Sequence, residues 1–124
     1  MPNVGENVLT FEEKTIYLAC GYTDMRKSIN GLSAIVEASF GLDPFSRAVY
    51  VFCNRNRDRL KILEWDGDGF WIYFKRLEKG RFRWPNSEES QIMTFSPEEL
   101  QVLLGSPRVI QKLKRQEVKT GAVI

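Results

Sequence analysis

With 124 residues, 43% of them apolar, and 15 aromatic side chains (eight Phe, four Tyr, three Trp), the chain is sized for one domain around a single core. It has no histidine, which excludes Ser-His-Asp hydrolysis, Cys-His proteolysis and histidine-bearing metal sites, and its two cysteines, Cys20 and Cys53, are too few and too far apart for a CxxC pair or a four-cysteine zinc site. The net charge is only +2, no apolar run is long enough for a membrane span, and residues 1–10 lack a signal-peptide pattern, so a soluble, cytoplasmic protein is expected.

Residues 1–13 are polar and acidic and read as a loosely held arm ahead of a domain at 14–105. Thr15 to Cys20 is β-branched and apolar, ends at Gly21, and predicts a buried strand. Thr23 or Asp24 then offers an N-cap, and Met25, Ile29, Leu32 and Val36 follow at helical spacing, with Ile35 widening the stripe. A helix over about 24–40, stopped by Gly41 and an Asp43-Pro44 turn, is the expectation.

The middle of the chain reads as β structure. Ala48–Cys53, Arg59–Trp65 and Phe70–Leu77 are three predicted strands, joined by the polar turn Asn54–Asp58 and by the tight Asp66-Gly67-Asp68-Gly69 hairpin. Arg81–Trp84 is expected as a short further strand that Pro85 stops, and Gln91–Phe95 as one more. Such short connections force antiparallel pairing. On the Phe70 strand, Phe70, Ile72 and Phe74 share one face and Trp71, Tyr73 and Lys75 the other. Ser96-Pro97-Glu98-Glu99 is a capping box opening a short helix over about 96–104 that Gly105 ends. Residues 106–124 are basic and poor in apolar groups, and read as a flexible tail, with Val109–Gln116 as a candidate frayed helix. The fold class expected is α+β, with a mainly antiparallel sheet of five or six strands.

Charge is striped along the chain. Residues 47–83 hold ten basic side chains against five acidic ones, and 84–107 hold four acids and no base. Ten of the eighteen cations are arginine, whose planar fork suits phosphate. Arg55, Arg57, Arg59, Lys61, Lys75, Arg76, Arg81 and Arg83 are therefore candidate DNA contacts, with Trp71 and Tyr73 beside Lys75 as candidate stacking platforms. The same alternation also describes a core face and its solubilising face. Arg26 and Lys27 are added because the predicted helix places them in its first turn, where cations oppose the helix dipole and an anion would relieve the conflict. Asp58, Glu64, Asp66 and Asp68 are the acids that a metal-dependent nuclease would have to bring together, and turn chemistry explains the Asp-Gly-Asp-Gly stretch without a metal.

Several stretches, in order, are similar to a known family: Tyr17 to Ser28, Gly31-Leu32, Asp43 to Ser46, Val51-Phe52, Arg57 to Leu63, Trp65 to Phe70, Tyr73 to Glu78 and Arg81 to Pro85. Over roughly residues 15–104 the chain resembles the second-open-reading-frame accessory protein of the IS66 group of bacterial insertion sequences, a protein often labelled TnpB and distinct from the RNA-guided nuclease of that label. It departs from the family's common Gly-Ile-Asp-like ending, having Gly105-Ser106-Pro107-Arg108 instead. The resemblance implies a role in DNA transposition beside a separate, larger transposase that carries the catalytic acids. It brings no catalytic residues to transfer. The expectation is a non-catalytic accessory factor with no metal and no cofactor, binding DNA through a basic aromatic sheet. The alternative is a protein–protein adaptor that docks the transposase without touching DNA.

Overall fold

Apolar runs too short for helices and bounded by turn residues make the framework a sheet. A computed structural model describes residues 11, 13–86 and 88–105. Residues 1–10 and the basic segment 106–124, with the helix expected at 109–116, lie outside the described residues. Five strands form one mixed sheet: β1 (Thr15–Ala19), β2 (Ala48–Cys53), β3 (Arg59–Trp65), β4 (Phe70–Arg76) and β5 (Ile92–Phe95). Their spatial order is β4-β3-β2-β1-β5. Helix α1 (Ile29–Ala34) runs into a π-helical turn at Ile35–Ser39, and α2 (Pro97–Leu104) closes the described chain.

The connections set the pairing. The hairpins β2–β3 and β3–β4 are antiparallel, with Val51 opposite Ile62 and Ile62 opposite Tyr73. The crossover through α1 returns the chain in the same direction, so β1 and β2 are parallel, Leu18 opposite Val51. β5 lies antiparallel on the outer side of β1, with Leu18 opposite Met93. The sheet is thus mixed, with one parallel pair among antiparallel ones, in an α+β fold of the expected class.

Both faces of the sheet are covered, and β2 is buried at every residue. Strand alternation sorts the apolar side chains into two clusters. On one face Tyr50, Phe52, Leu63 and Ile72 pack with Leu32 and Val36 of the helix. On the other, Leu18, Val51, Ile62 and Tyr73 pack with Phe82, Trp84 and, from α2, Leu100 and Leu104. Phe11, counted with the arm in the sequence, is buried in this second cluster and stacks on the Tyr73 ring at 5.9 Å.

The capping box forms as read. Ser96 Oγ accepts from the Glu99 N–H at 3.1 Å, and the Glu99 carboxylate accepts from the Ser96 N–H at 2.8 Å. At the other end of α2 the buried ammonium of Lys75 donates to the Leu104 carbonyl, where the helix dipole favours a cation. A second polar group is also enclosed: the Glu64 carboxylate accepts from Tyr73 Oη and, at 2.6 Å, from Lys14 Nζ.

Two expected elements differ. The helix begins at Ile29 rather than near 24, because the Asp24 carboxylate accepts from the Arg26 N–H at 2.9 Å and holds a local turn, and the Thr23 N–H is tied to the Cys53 carbonyl at 2.7 Å. Ser28 is the N-cap residue and makes no side-chain cap bond. Arg81–Trp84 is not a strand. Its Phe82 N–H donates to the Arg57 carbonyl at 2.7 Å, and the segment crosses the α2 face so that Phe82 and Trp84 can fill the core. Trp84 Nε1 donates to the Ala19 carbonyl at 2.9 Å, which satisfies the buried indole.

Trp84→Ala is expected to cost about 3–5 kcal/mol in urea unfolding, as a large core aromatic does. Trp84→Phe, which keeps a ring and drops the bond to Ala19, should cost less.

Stability should also fall in alkali. Burial pushes the Cys53 thiol from its ordinary 9.0 up to about 12. Burial and then the Glu64 charge push the Tyr73 hydroxyl upward as well. Both stay protonated in the fold after they ionise in the unfolded chain, so their contribution is complete below pH 9 and is lost as pH rises toward 12. Burial lowers Lys75, which works in the opposite sense. Cys53→Val should therefore show a smaller drop in melting temperature than the parent between pH 9 and 12.

Candidate nucleic-acid interface

Alternation along β3 turns Arg59 and Lys61 to the same face as Leu63, the face that α1 covers further along. Across the ladder Arg59 stands opposite Arg76, and Lys61 opposite Phe74. Two turns close in on this end of the sheet. The Asn54–Asp58 turn is built by Asn54: its Oδ1 accepts from the Asp58 and Arg59 N–H groups at 3.0 Å, and its Nδ2 donates to the Asp58 carboxylate at 2.8 Å. The Thr23–Lys27 turn is held by its bond to Cys53 and by Lys61 Nζ, which donates to the Lys27 carbonyl at 2.7 Å.

Between them lies an open depression of about 1010 Å³ whose lining includes Tyr22, Arg26, Asn56, Arg55, Arg59, Lys61 and Phe74. Four cations line it against a single carboxylate, Asp24. The Arg26 guanidinium grips Asp24 at 2.7 Å and holds it down to about 2, so these two charges balance. Arg55, Arg59 and Lys61 carry the positive excess. Arg59 has Asp58 at the longer distance of 3.7 Å. The Arg55 guanidinium lies over the Tyr22 ring, 5.6 Å from its centre.

The depression therefore gathers Arg26, Arg55, Arg59 and Lys61 from the sequence candidates. Lys27 is exposed beside it, and Arg76 is exposed next to Arg59 with Glu78 at 2.9 Å. Arg57 is half-buried in the hairpin turn with a positive φ of 61°, its backbone tied to Asn54 and Phe82. Arg81 and Arg83 are exposed but line another groove, beside α2. Trp71 packs on the α2-face core and gives its indole N–H to Asp66.

Tyr73 and Lys75 do not belong to such a surface. Tyr73 is 0% exposed and Lys75 6%, because the face they share with Trp71 is the one roofed by α2. Tyr22 and Phe74, absent from the candidates, supply the rings instead. The signal for them was present: Tyr22 sits in the Gly21–Lys27 turn with Arg26, and Phe74 is the strand neighbour of Lys75 that points the other way.

Of the candidate metal acids, Asp58 stands apart, while Asp66 and Asp68 share one turn. Asp58 precedes β3 and Asp66 follows it, about 26 Å away at strand rise. Asp66 serves its own turn, accepting from the Asp68 and Gly69 N–H groups at 3.2 Å. Among the described residues no cluster of acids and cysteines is arranged to hold a metal, and no helix is long and apolar enough to cross a membrane.

The molecule is thus a small α+β protein with a doubly covered mixed sheet and a cationic, ring-walled depression at one end. It belongs to the IS66 Orf2-like family, whose description, IS66 Orf2 like protein, matches residues 14–114. Membership ties it to transposition of a bacterial insertion sequence, in an accessory role. Two relatives from Sinorhizobium fredii are themselves described only as uncharacterised. One, y4hO, is 37% identical over 89 residues, covering 72% of this chain and 76% of its own. The other, y4jC, is 34% identical over 104 residues, covering 84% and 87%. No solved structure matches the chain.

Proposed function

We propose that this accessory protein binds DNA through the depression at the Arg59 end of the sheet and leaves catalysis to its transposase. The observation that supports this most is convergence: cations far apart in sequence, Arg26 from one turn, Arg55 from another, and Arg59 and Lys61 from β3, line one open space with a single, already paired carboxylate. Arg76, opposite Arg59 in the ladder and paired with Glu78 at 2.9 Å, places one more guanidinium at its margin.

A second reading, the transposase adaptor, draws on a different surface. Phe45, 53% exposed, packs on Trp65 and Phe70 with ring centres 4.9 and 5.3 Å away, at the end of β3 remote from the depression. An exposed Phe45 backed by two part-buried rings suits a protein partner. The two surfaces are separate, so one molecule has room for both roles.

Titration of labelled oligonucleotides against salt tests the DNA role. With about three phosphates neutralised, log affinity should fall with log salt at a slope of about −2 to −3. Combining Arg55→Gln, Arg59→Gln and Lys61→Gln should weaken binding about equally for all sequences and flatten that slope, since phosphate contacts do not read bases. Arg81→Gln with Arg83→Gln should change it little. If the parent protein binds no DNA at low salt but still captures its transposase, and Phe45→Ala abolishes the capture, the adaptor takes the place of the DNA-binding role.

A further inference from the structure

Duplex and unpaired strands offer similar phosphates, but only an unpaired strand offers the faces of its bases. The depression contains groups that phosphates alone do not use. Tyr22 is 41% exposed, and neither it nor Phe74 belongs to either hydrophobic cluster, yet both rings line this one space. Asn56, exposed in the same lining, carries an amide that can both donate to and accept from a base edge. The depression, about 1010 Å³ and open to solvent, is of the size that small organic ligands such as a nucleotide occupy.

We infer that the depression takes an unpaired nucleic-acid strand, with a base stacked on Tyr22 and neighbouring phosphates held by Arg55, Arg59 and Lys61. The inference rests on the DNA-binding role proposed above and specifies the form of DNA. The Arg55 guanidinium lies over one face of the Tyr22 ring, so a base stacks on the guanidinium plane or on the ring's other face, and in either place its phosphate has this cation within reach. Phe74, directly across the ladder from Lys61, repeats the pairing of ring with cation one strand away. Asp24 does not oppose the phosphates with an unbalanced charge, because Arg26 holds it.

The test is fluorescence anisotropy with one labelled mixed-sequence oligonucleotide, alone and annealed to its complement, at low salt. The single strand should bind about tenfold or more tightly than the duplex. Tyr22→Ala should weaken single-strand binding about tenfold, the size expected for loss of one stacked base, and leave duplex binding within about twofold. Tyr22→Phe, which keeps the ring, should restore the single-strand affinity. Circular dichroism should show each variant folded, since Tyr22 lies outside the core. Duplex binding as tight as that of the single strand, or a Tyr22→Ala variant with parental single-strand affinity, would overturn the inference and leave the DNA-binding role standing. No binding of either form would overturn both.

Discussion

The burial of β2 on both faces is the constraint on which the rest of the structure depends. Each of its six residues, Ala48 to Cys53, is buried, so the chain must supply two covers for one small sheet. α1 and its π-helical turn cover one face with Leu32 and Val36. The other face has only the short α2 available, and Leu100 and Leu104 do not fill it alone. Phe82, Trp84 and Phe11 complete it. That demand explains why Arg81–Trp84 abandons the sheet ladder: two aromatics in the core outweigh a few edge hydrogen bonds, and the segment recovers part of its bonding through Arg57 and Ala19.

The same constraint sorts the cations. A lysine on the roofed face has to find a partner or lose its charge, and Lys75 finds the last carbonyl of α2. Cations on the α1 face emerge where the helix no longer covers the strands, and there Arg59, Lys61 and Arg76 meet the two turns. Arg57 bears the local cost. A left-handed backbone costs a non-glycine residue about 1–2 kcal/mol, and two backbone bonds, one to Asn54 and one from Phe82, hold it there.

The surface is left with distinct regions. The cationic depression lies at the start of β3, and the Phe45–Trp65–Phe70 cluster lies about 20 Å away at its end. A third region, the groove beside α2, combines Arg81 and Arg83 with Glu98 and Glu99 around an apolar floor. On the proposed function, such separate surfaces let nucleic acid and a protein partner be engaged together, with neither competing for the other's contacts.

The sequence alone determined the features that short-range physics controls. Short apolar, β-branched and aromatic runs bounded by turn residues marked β1 to β4, since strand preference and turn chemistry need no distant information. The Ser96–Glu99 capping box and Gly105 bounded α2 because backbone donors and a left-handed stop are local requirements. Asp24 misled for a related reason: its carboxylate is as able to close a turn on Arg26 as to cap a helix, and the tie from Thr23 to Cys53, 30 positions away, selects the turn. Tertiary structure decided which face of β4 would be roofed. Alternation separated Tyr73 and Lys75 from Phe74 but left both faces equivalent, and only the docking of α2 buried the first pair and left Phe74 beside the cations. The depression was equally invisible in the sequence, because Tyr22, Arg55, Lys61 and Phe74 become neighbours only when two turns and two strands converge on one end of the sheet.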